Sequence, residues 1–418
     1  MNTLNHPDIS HQKWLDDFRL KQSQIFLKRG WPTKKEECFK YTEIKNTISE
    51  NKNPHFTDLP ERNYFFSEIA AIRMIFINGY FVAHLSNVEK LPGGIAIYTL
   101  QKALEKKESI IQSYLTREFD EKRFPFAVLN ASVMKDGMFL EISKNTKTSL
   151  PIHLVFIHTG EDHFTIHPRN IVVARPDSKV ILIEEHVGEN AKHYFTNTVT
   201  DIHAGENASI EYYKIQNESH TATHVANVFV TQHRDSTLKT FFLAKGAKLS
   251  REDLTIKQKA IGAISDSYGF YFLNQDEQHI DHHVHVDHLA PEGKSTMVYR
   301  GVLDKKSRAV FNGKVFVDKA AKHIHAHQAN HHLLLSKEAE INTKPELEIY
   351  ADEVKCTHGA TVGQIDNDAL FYLRSRGMEE KTAFQILTRA FSGEIFSKIQ
   401  DPTLKHYMQK RMGIDHEL

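Results

Sequence analysis

The sequence predicts a mainly β protein with a β-solenoid core, flanked by an N-terminal α+β region and a C-terminal helical region. Between Phe124 and Ile365, short apolar or alternating runs replace any helical period, and they are too numerous for a simple β-sandwich. Small residues recur at the starts of these runs, and helical patterns return after Ile365. We therefore divide the chain into residues 1–117, 118–365 and 366–418.

The N-terminal region combines two helical patterns with a hairpin. Apolar residues gather on one side of residues 8–29, and Gly30 followed by Pro32 is a helix stop signal. Asn78-Gly79 separates the apolar runs 72–77 and 80–85, and both turn positions of a two-residue hairpin favour positive φ. Residues 100–114 predict a second helix. This part of the chain is interpreted as a small α+β unit.

The central region contains strand-like runs joined by a recurring corner. The clearest runs are residues 172–174, 180–183, 210–215, 228–230, 241–243, 315–317, 333–335 and 347–350. A small residue precedes an apolar one by two places in Asp177-Ser178-Lys179-Val180, Asn207-Ala208-Ser209-Ile210, Asp235-Ser236-Thr237-Leu238, Gly246-Ala247-Lys248-Leu249 and Glu338-Ala339-Glu340-Ile341. Repeated corners of this kind are typical of a solenoid, in which each coil covers its neighbour. Coincidence among common surface residues is the alternative.

The C-terminal region is predicted to be helical. Asp366 can cap a helix that stops at Gly377, and an apolar stripe from Ala383 to Phe391 indicates a second helix. Asp401-Pro402 predicts a third, with Asp as the cap and Pro at the first helical position.

Composition excludes several classes of function. Lys plus Arg and Asp plus Glu number 53 each, so no excess positive charge attracts nucleic acid or a membrane surface. Gly293-Lys294-Ser295 resembles the end of a P-loop, but His288 stands where the leading glycine belongs, so the chain is not expected to hydrolyse ATP. Two cysteines, no signal-like N-terminus and no long apolar run predict a soluble protein of the reducing cytoplasm.

Histidine is unusually frequent, with 27 in 418 residues. The densest groups are His279, His282, His283, His285 and His288, followed by His323, His325, His327, His331 and His332. On strands, His283 with His285, and His323 with His325 and His327, would form rows on one face that could bind a metal ion. A chain this rich in histidine also produces such spacings by chance, and that interpretation stays open.

Cys356 and His358 form the most informative pair. Residues i and i+2 of an extended segment point to the same face, so the thiol and imidazole would lie side by side. They could form a nucleophile and base, or two ligands for iron or an iron-sulfur cluster that another chain completes. A half-buried cysteine beside a solvated histidine is the third reading.

The residues around this pair resemble the SufB/SufD family of iron-sulfur cluster assembly proteins. The similarity is carried by TKPELEIYAD at 343–352, KCTHGATVG at 355–363 and FYLRSRG at 371–377, with Asn312-Gly313, His327-Gln328-Ala329-Asn330 and Leu333-Leu334-Leu335-Ser336 upstream. It covers about Gly301 to Arg389. The chain looks most like the SufD branch, because Leu373 occupies the position where SufB-type chains carry a cluster-building cysteine.

The resemblance implies a right-handed parallel β-helix and a scaffold role without catalysis of its own. It implies pairing with a SufB-like paralogue and docking of SufC-like ABC ATPase subunits, with Phe371, Tyr372, Arg374, Arg376 and Gly377 as docking candidates. His358, with Cys356 as its neighbour, is the implied ligand for iron or a transient iron-sulfur cluster at the interface between the paralogues. Because Leu373 replaces a thiol, the chain alone should hold no stable cofactor.

Two other functions remain open at this stage. One is a β-helical enzyme acting on carbohydrate, or through the thiol of Cys356, although a shared fold does not establish a shared function. The other is a homodimer of the isolated chain that stores metal through its histidine rows.

Overall fold

The computed structural model describes residues 12–44, 68–89, 91–160 and 162–413. Its centre is a β-solenoid of about 8 turns. The strands are β1 (Ile72–Ile77), β2 (Tyr80–Phe81), β3 (Ile95–Thr99), β4 (Met138–Ile142), β5 (Ile152–His158), β6 (Phe164–Ile166), β7 (Arg169–Ala174), β8 (Lys179–Gly188), β9 (Tyr194–Ala204), β10 (Ser209–Asn217), β11 (Thr223–Gln232), β12 (Thr237–Ala244), β13 (Leu249–Gln258), β14 (Ile264–Leu273), β15 (His279–His288), β16 (Lys294–Leu303), β17 (Arg308–Val317), β18 (His325–Leu334), β19 (Glu340–Ile349) and β20 (Lys355–Gln364).

The strands form two facing sheets that run along the solenoid. The first sheet has the order β2-β1-β5-β8-β10-β12-β14-β16-β18-β20, and the second β19-β17-β15-β13-β11-β9-β7-β4-β3, with β6 beside β9. The β1–β2 and β3–β4 pairs at the N-terminal end are antiparallel, whereas the coil-to-coil pairs are parallel. The predicted solenoid is confirmed.

The predicted corners are structural features of the coils. Each of the five corner sequences ends in the first residues of a strand, namely β8, β10, β12, β13 or β19. Asp177, Asn207 and Asp235 have φ values of 60°, 54° and 53°, a region that Asn and Asp tolerate better than other non-glycine residues. The small residue that follows, such as Ser178 or Ala208, is buried. At these three corners the repeat therefore reflects a left-handed residue followed by a side chain that must fit inside the corner.

The solenoid interior is apolar on one side and polar on the other. Along β8, Leu182 belongs to the main apolar cluster, but Glu184 and His186 on the same face are buried polar residues. The neighbouring strand β10 repeats the change, since Tyr212 packs in the apolar cluster while Lys214 forms a buried ion pair. A band of buried polar side chains thus runs along the solenoid.

The N-terminal elements match their predicted type and are continuous with the solenoid. Helix α1 (Lys13–Arg29), the hairpin of β1 and β2, and helix α2 (Leu100–Leu115) lie where the sequence predicts them. However, β1 pairs in parallel with β5 through six residues, so the hairpin begins the first sheet and does not belong to a separate unit. The N-terminal part of the predicted first helix lies outside the described residues.

A helix between α2 and β4 was not predicted. Helix α3 (Pro125–Val133) begins with proline in its first turn and is buried along almost its whole length. The side-chain amide of Asn130 donates to the carbonyl oxygens of Pro168 and Asn197. Because every face of α3 packs against protein, its sequence lacks the amphipathic period that reveals a surface helix.

Three helices follow the last strand, as predicted: α4 (Asn367–Ser375), α5 (Glu380–Phe396) and α6 (Pro402–Met412). The carboxylates of Asp366 and Asp401 accept backbone N–H bonds at the starts of α4 and α6. Helices α5 and α6 cover the outer face of the first sheet, where Phe396 packs against Phe241 and Phe270. None of the helices in the described ranges is long and apolar enough to cross a membrane.

Candidate functional site

The C-terminal end of the solenoid is open. Among the described strands, β20 is hydrogen-bonded only to β18, and β19 only to β17, so each sheet ends in a strand with one unpaired edge. Nearly all of β20 is exposed to solvent. Pro345 has no backbone N–H and so leaves a gap in the row of hydrogen-bond donors along β19, which is tolerated at an edge strand. The two edges offer a surface to which another chain could add strands.

Cys356 and His358 lie on the inward face of this last coil. The register pairs Cys356 with Ala326 and His358 with Gln328, and both partners on β18 are buried inside the preceding coil. The imidazole of His358 is exposed because no further coil of the described residues covers it. The structure therefore brings the pair to one face, at a position that is interior in every other coil.

The two side chains differ in their chemical environment. Cys356 packs at the edge of a cluster that includes Val317, Ile324 and Ala326. Burial raises the pKa of the Cys356 thiol, and a backbone hydrogen bond from Ala326 only partly opposes this effect. The thiol is therefore protonated at neutral pH, unlike the low-pKa thiolate of a nucleophilic cysteine. The accessible side chain that could bind a metal ion at this site is the imidazole of His358.

Polar groups line the interior just behind the open end. The Thr343 hydroxyl donates to the side-chain oxygen of Asn330 at 2.6 Å, and Nε2 of Gln328 lies 3.5 Å from the carbonyl oxygen of Glu346. His332, also on β18, places Nε2 2.6 Å from the hydroxyl of Tyr271, which lies two coils further in. The side chain of His358 thus follows the buried amide of Gln328, its register partner on the preceding coil, out to solvent.

The predicted histidine rows are used differently from the expectation. His283 and His285 lie on one face of β15, but their Nε2 atoms contact the carboxylates of Asp281 and Asp287 at 2.8 and 2.7 Å. The second row is wrong in part, because His323 lies in the turn before β18 with φ 57°.

On the outer face of β18, two histidine nitrogens contact threonine hydroxyls of the next coil. His327 and His331 contact Thr357 and Thr361, respectively, at 2.8 Å. Within the described ranges, neither row supplies three ligand atoms to one point.

Sequence patterns missed a different ligand group in the solenoid interior. His158, His186 and Glu218 place one nitrogen or carboxylate oxygen each within 4.8 Å of the others, and all three are buried. They come from three successive coils and are far apart in sequence. The missing signal was the register of the coils. It pairs His158 with Gly188 and His186 with Gln216, so the three residues lie within two positions of one another on adjacent coils. An alignment of the coils to one another could have found the group.

The predicted docking residues lie on α4, the most exposed helix of the C-terminal region, and on the two residues that follow it. Helix α4 has no buried residue; Phe371 is 74% exposed and Tyr372 56% exposed. Arg376 donates from Nη2 to the Tyr372 hydroxyl at 3.2 Å, and Arg374 lies 3.1 Å from Glu380. Gly377 ends the segment with φ 89°. Leu373, at the position of the missing thiol, is half-buried.

A cavity adjoins these helices. It has a volume of about 720 Å³ and lies between α5 and the outer face of the first sheet. Phe270, Phe272, Leu335 and Phe384 provide its apolar lining. The exposed aromatic pair of α4 and this cavity place two apolar surfaces in the same region of the chain.

Comparison with known proteins identifies the family. Residues 156–391 match the family model described as "SUF system FeS cluster assembly, SufBD core domain", and residues 6–154 match the SufBD protein N-terminal region. The chain belongs to the SufBD family. An iron-sulfur cluster assembly SufBD family protein of Synechocystis is 34% identical over 81% of this chain and 76% of its own length.

Relatives named SufD are also similar to this SufBD protein. The iron-sulfur cluster assembly protein SufD of Escherichia coli is 27% identical over 93% of this chain and 90% of its own length. SufD of Bacillus subtilis is 25% identical over 76% and 73%, respectively. The predicted family is confirmed, and the predicted likeness to SufD agrees with the names of these relatives.

Proposed function

We propose that this SufBD protein is a scaffold subunit for iron-sulfur cluster assembly that works without catalysis of its own. The observation that carries the proposal is the open end of the solenoid, where an interior position, His358, is exposed beside two unpaired strand edges. A partner that continued the sheets would enclose His358 and bring its own side chains opposite the imidazole. The partner fitting this geometry is a SufB-like paralogue with a solenoid of its own. In its absence, a second copy of the chain could occupy the same edges.

His358 is the proposed ligand for iron or for a transient iron-sulfur cluster held between the two chains. A single imidazole cannot hold such a group, and Leu373 supplies no thiol, so at the open end the chain provides only part of a site and does not hold a cluster there by itself. Cys356 contributes packing beside it, because burial favours its neutral thiol. The same protonated state argues against a thiol-dependent enzyme.

Replacing His358 tests the ligand role. His358→Ala removes an exposed side chain, so the thermal unfolding temperature and pairing with the paralogue should stay unchanged while the yield of assembled cluster falls. His233→Ala, at an exposed turn remote from the open end, is the matched control and should leave the yield unchanged. Equal cluster yields in the two variants, measured by visible absorption and iron and sulfide content of the complex, would refute the assignment.

The exposed face of α4 is the proposed docking surface for a SufC-like ATPase, which supplies the ATP hydrolysis. Deleting residues 366–418 would test this poorly, because α5 and α6 bury the apolar outer face of the solenoid. The variant Phe371→Ala/Tyr372→Ala should instead abolish ATPase binding with little effect on folding. Ile261→Ala, which removes a 40%-exposed apolar side chain elsewhere, is the control. Undiminished binding by the aromatic variant, measured by calorimetric titration, would exclude α4 as the docking surface.

The cytoplasm is the proposed compartment. Both cysteines in the chain are free, which agrees with a reducing environment.

A further inference from the structure

The ligand group of His158, His186 and Glu218 lies deep in the solenoid, far from the open end. His158 ends β5, His186 lies in β8, and Glu218 follows β10, so three coils meet at one corner of the interior. All three side chains are fully buried. Their candidate ligand atoms lie within 4.8 Å of one another. Small side-chain rotations would bring these atoms to the separations found around one transition-metal ion, whose bonds to nitrogen and oxygen are about 2.0–2.2 Å.

Imidazole nitrogens in this group lack hydrogen-bond partners. Neither ring nitrogen of His158 makes a hydrogen bond within the described ranges, although its Nε2 lies 3.4 Å from Oε1 of Glu218. His186 places Nε2 2.9 Å from Oε1 of Glu184, and its Nδ1 has no partner among the described residues. A buried polar atom without a partner is unfavourable, so these nitrogens indicate something that the protein atoms alone do not supply.

The surrounding residues orient the group. The contact between Nε2 of His186 and Glu184 favours the tautomer in which Nδ1 carries the lone pair. Oε1 of Glu218 accepts a hydrogen bond from the Thr196 hydroxyl at 3.0 Å. Oε2 of Glu218 is 2.7 Å from Nδ1 of His224. Ligands held by second-layer carboxylates and hydroxyls are typical of evolved metal sites.

We propose that this SufBD protein binds one divalent first-row transition-metal ion, Zn²⁺ or Fe²⁺, through His158, His186 and Glu218. Two imidazoles and one carboxylate suit these ions, whereas Mg²⁺ and Ca²⁺ prefer sites made of oxygen alone. The ion ties three successive coils together at a polar corner of the interior. The site is distinct from the open end, and its occupancy does not depend on a partner chain.

Metal analysis of the full-length chain tests the proposal. The untagged protein is expressed in medium supplemented with Zn²⁺ or Fe²⁺, purified anaerobically and dialysed against chelator, and its metal content is measured by mass spectrometry. A closed interior site should retain one ion per chain. Glu218→Gln keeps the size of the side chain, and His158→Phe keeps a ring against Tyr194, whose centroid lies 4.9 Å away. Each variant should lose the ion and unfold at a lower temperature than the wild type.

The exposed group of Asp162, His163 and His193 provides the control. His163→Ala/His193→Ala removes its imidazoles and should leave the metal content unchanged. A wild-type protein without metal, or full retention of metal by folded Glu218→Gln and His158→Phe, would overturn the proposal. If either variant fails to fold, X-ray absorption of the wild type decides: only nitrogen and oxygen neighbours, with imidazole scattering, support the site, and sulfur neighbours refute it.

Discussion

The buried ion pair between Lys214 and Glu252 offers the sharpest test of whether the solenoid interior is dry. Nζ of Lys214 lies 2.6 Å from Oε2 of Glu252, and the side chains are 2% and 7% exposed. Lys214→Met leaves the carboxylate buried without its cation, near the negative charge of Glu184. Removing one partner of such a pair typically costs about 3–5 kcal/mol. Since folded domains are stable by about 5–15 kcal/mol, a loss of this size would be readily measured.

The cost should depend on pH. Burial already raises the pKa of Glu252, and Lys214 opposes that shift, so the Lys214→Met substitution should raise this pKa further. A raised folded-state pKa means that the folded protein holds a proton that the unfolded chain has released, so stability falls as pH rises. The loss in Lys214→Met should therefore be smaller at pH 5 than at pH 7.

Urea unfolding followed by circular dichroism measures the effect. Lys179→Met is the matched control, because Lys179 is 50% exposed and 3.9 Å from Glu211, and such surface pairs contribute about 1 kcal/mol or less. The double variant Lys214→Met/Glu252→Leu should recover most of the stability, since no charge stays unpaired. If Lys214→Met costs no more than Lys179→Met, water reaches the pair and the interior is not dry.

Three further outcomes are expected. Burial lowers the pKa of His332 to about 3, so as the pH falls from 6.5 to 5 the unfolded chain binds a proton there before the folded protein does, and the free energy of unfolding should drop by about 2 kcal/mol. His332→Gln should remove this part of the pH dependence of the urea midpoint, and an unchanged dependence would contradict the prediction. In Gly269→Ala the new methyl group would overlap the Tyr299 ring, so thermal unfolding should show a loss of about 1–3 kcal/mol in stability; an unchanged transition would mean that the ring moves freely. Asp401→Ala removes the acceptor for the Leu404 N–H and should cost about 1 kcal/mol, seen as faster amide exchange in α6, whereas unaltered exchange would show that the cap is dispensable.

Local chemistry made much of the fold predictable. The hairpin at Asn78-Gly79 and the caps at Asp366 and Asp401 depend on a few neighbouring residues, and all three form as predicted. The corner repeat was predictable for the same reason, because at three of its corners a left-handed Asp or Asn is followed directly by a small buried residue. Helix α3 was not predictable in this way, because burial on all faces removes the pattern that marks a helix.

For the candidate site, the sequence by itself determined that Cys356 and His358 share a face, because alternation is a property of any strand. It also determined the family through the motif around them. Only the tertiary structure decided that the thiol is half-buried while the imidazole is exposed, since that depends on which coil lies behind and on the absence of a further described coil in front. The meeting of His158, His186 and Glu218 was likewise decided by coil register, which stacks residues distant in sequence and is set by the packing of whole coils.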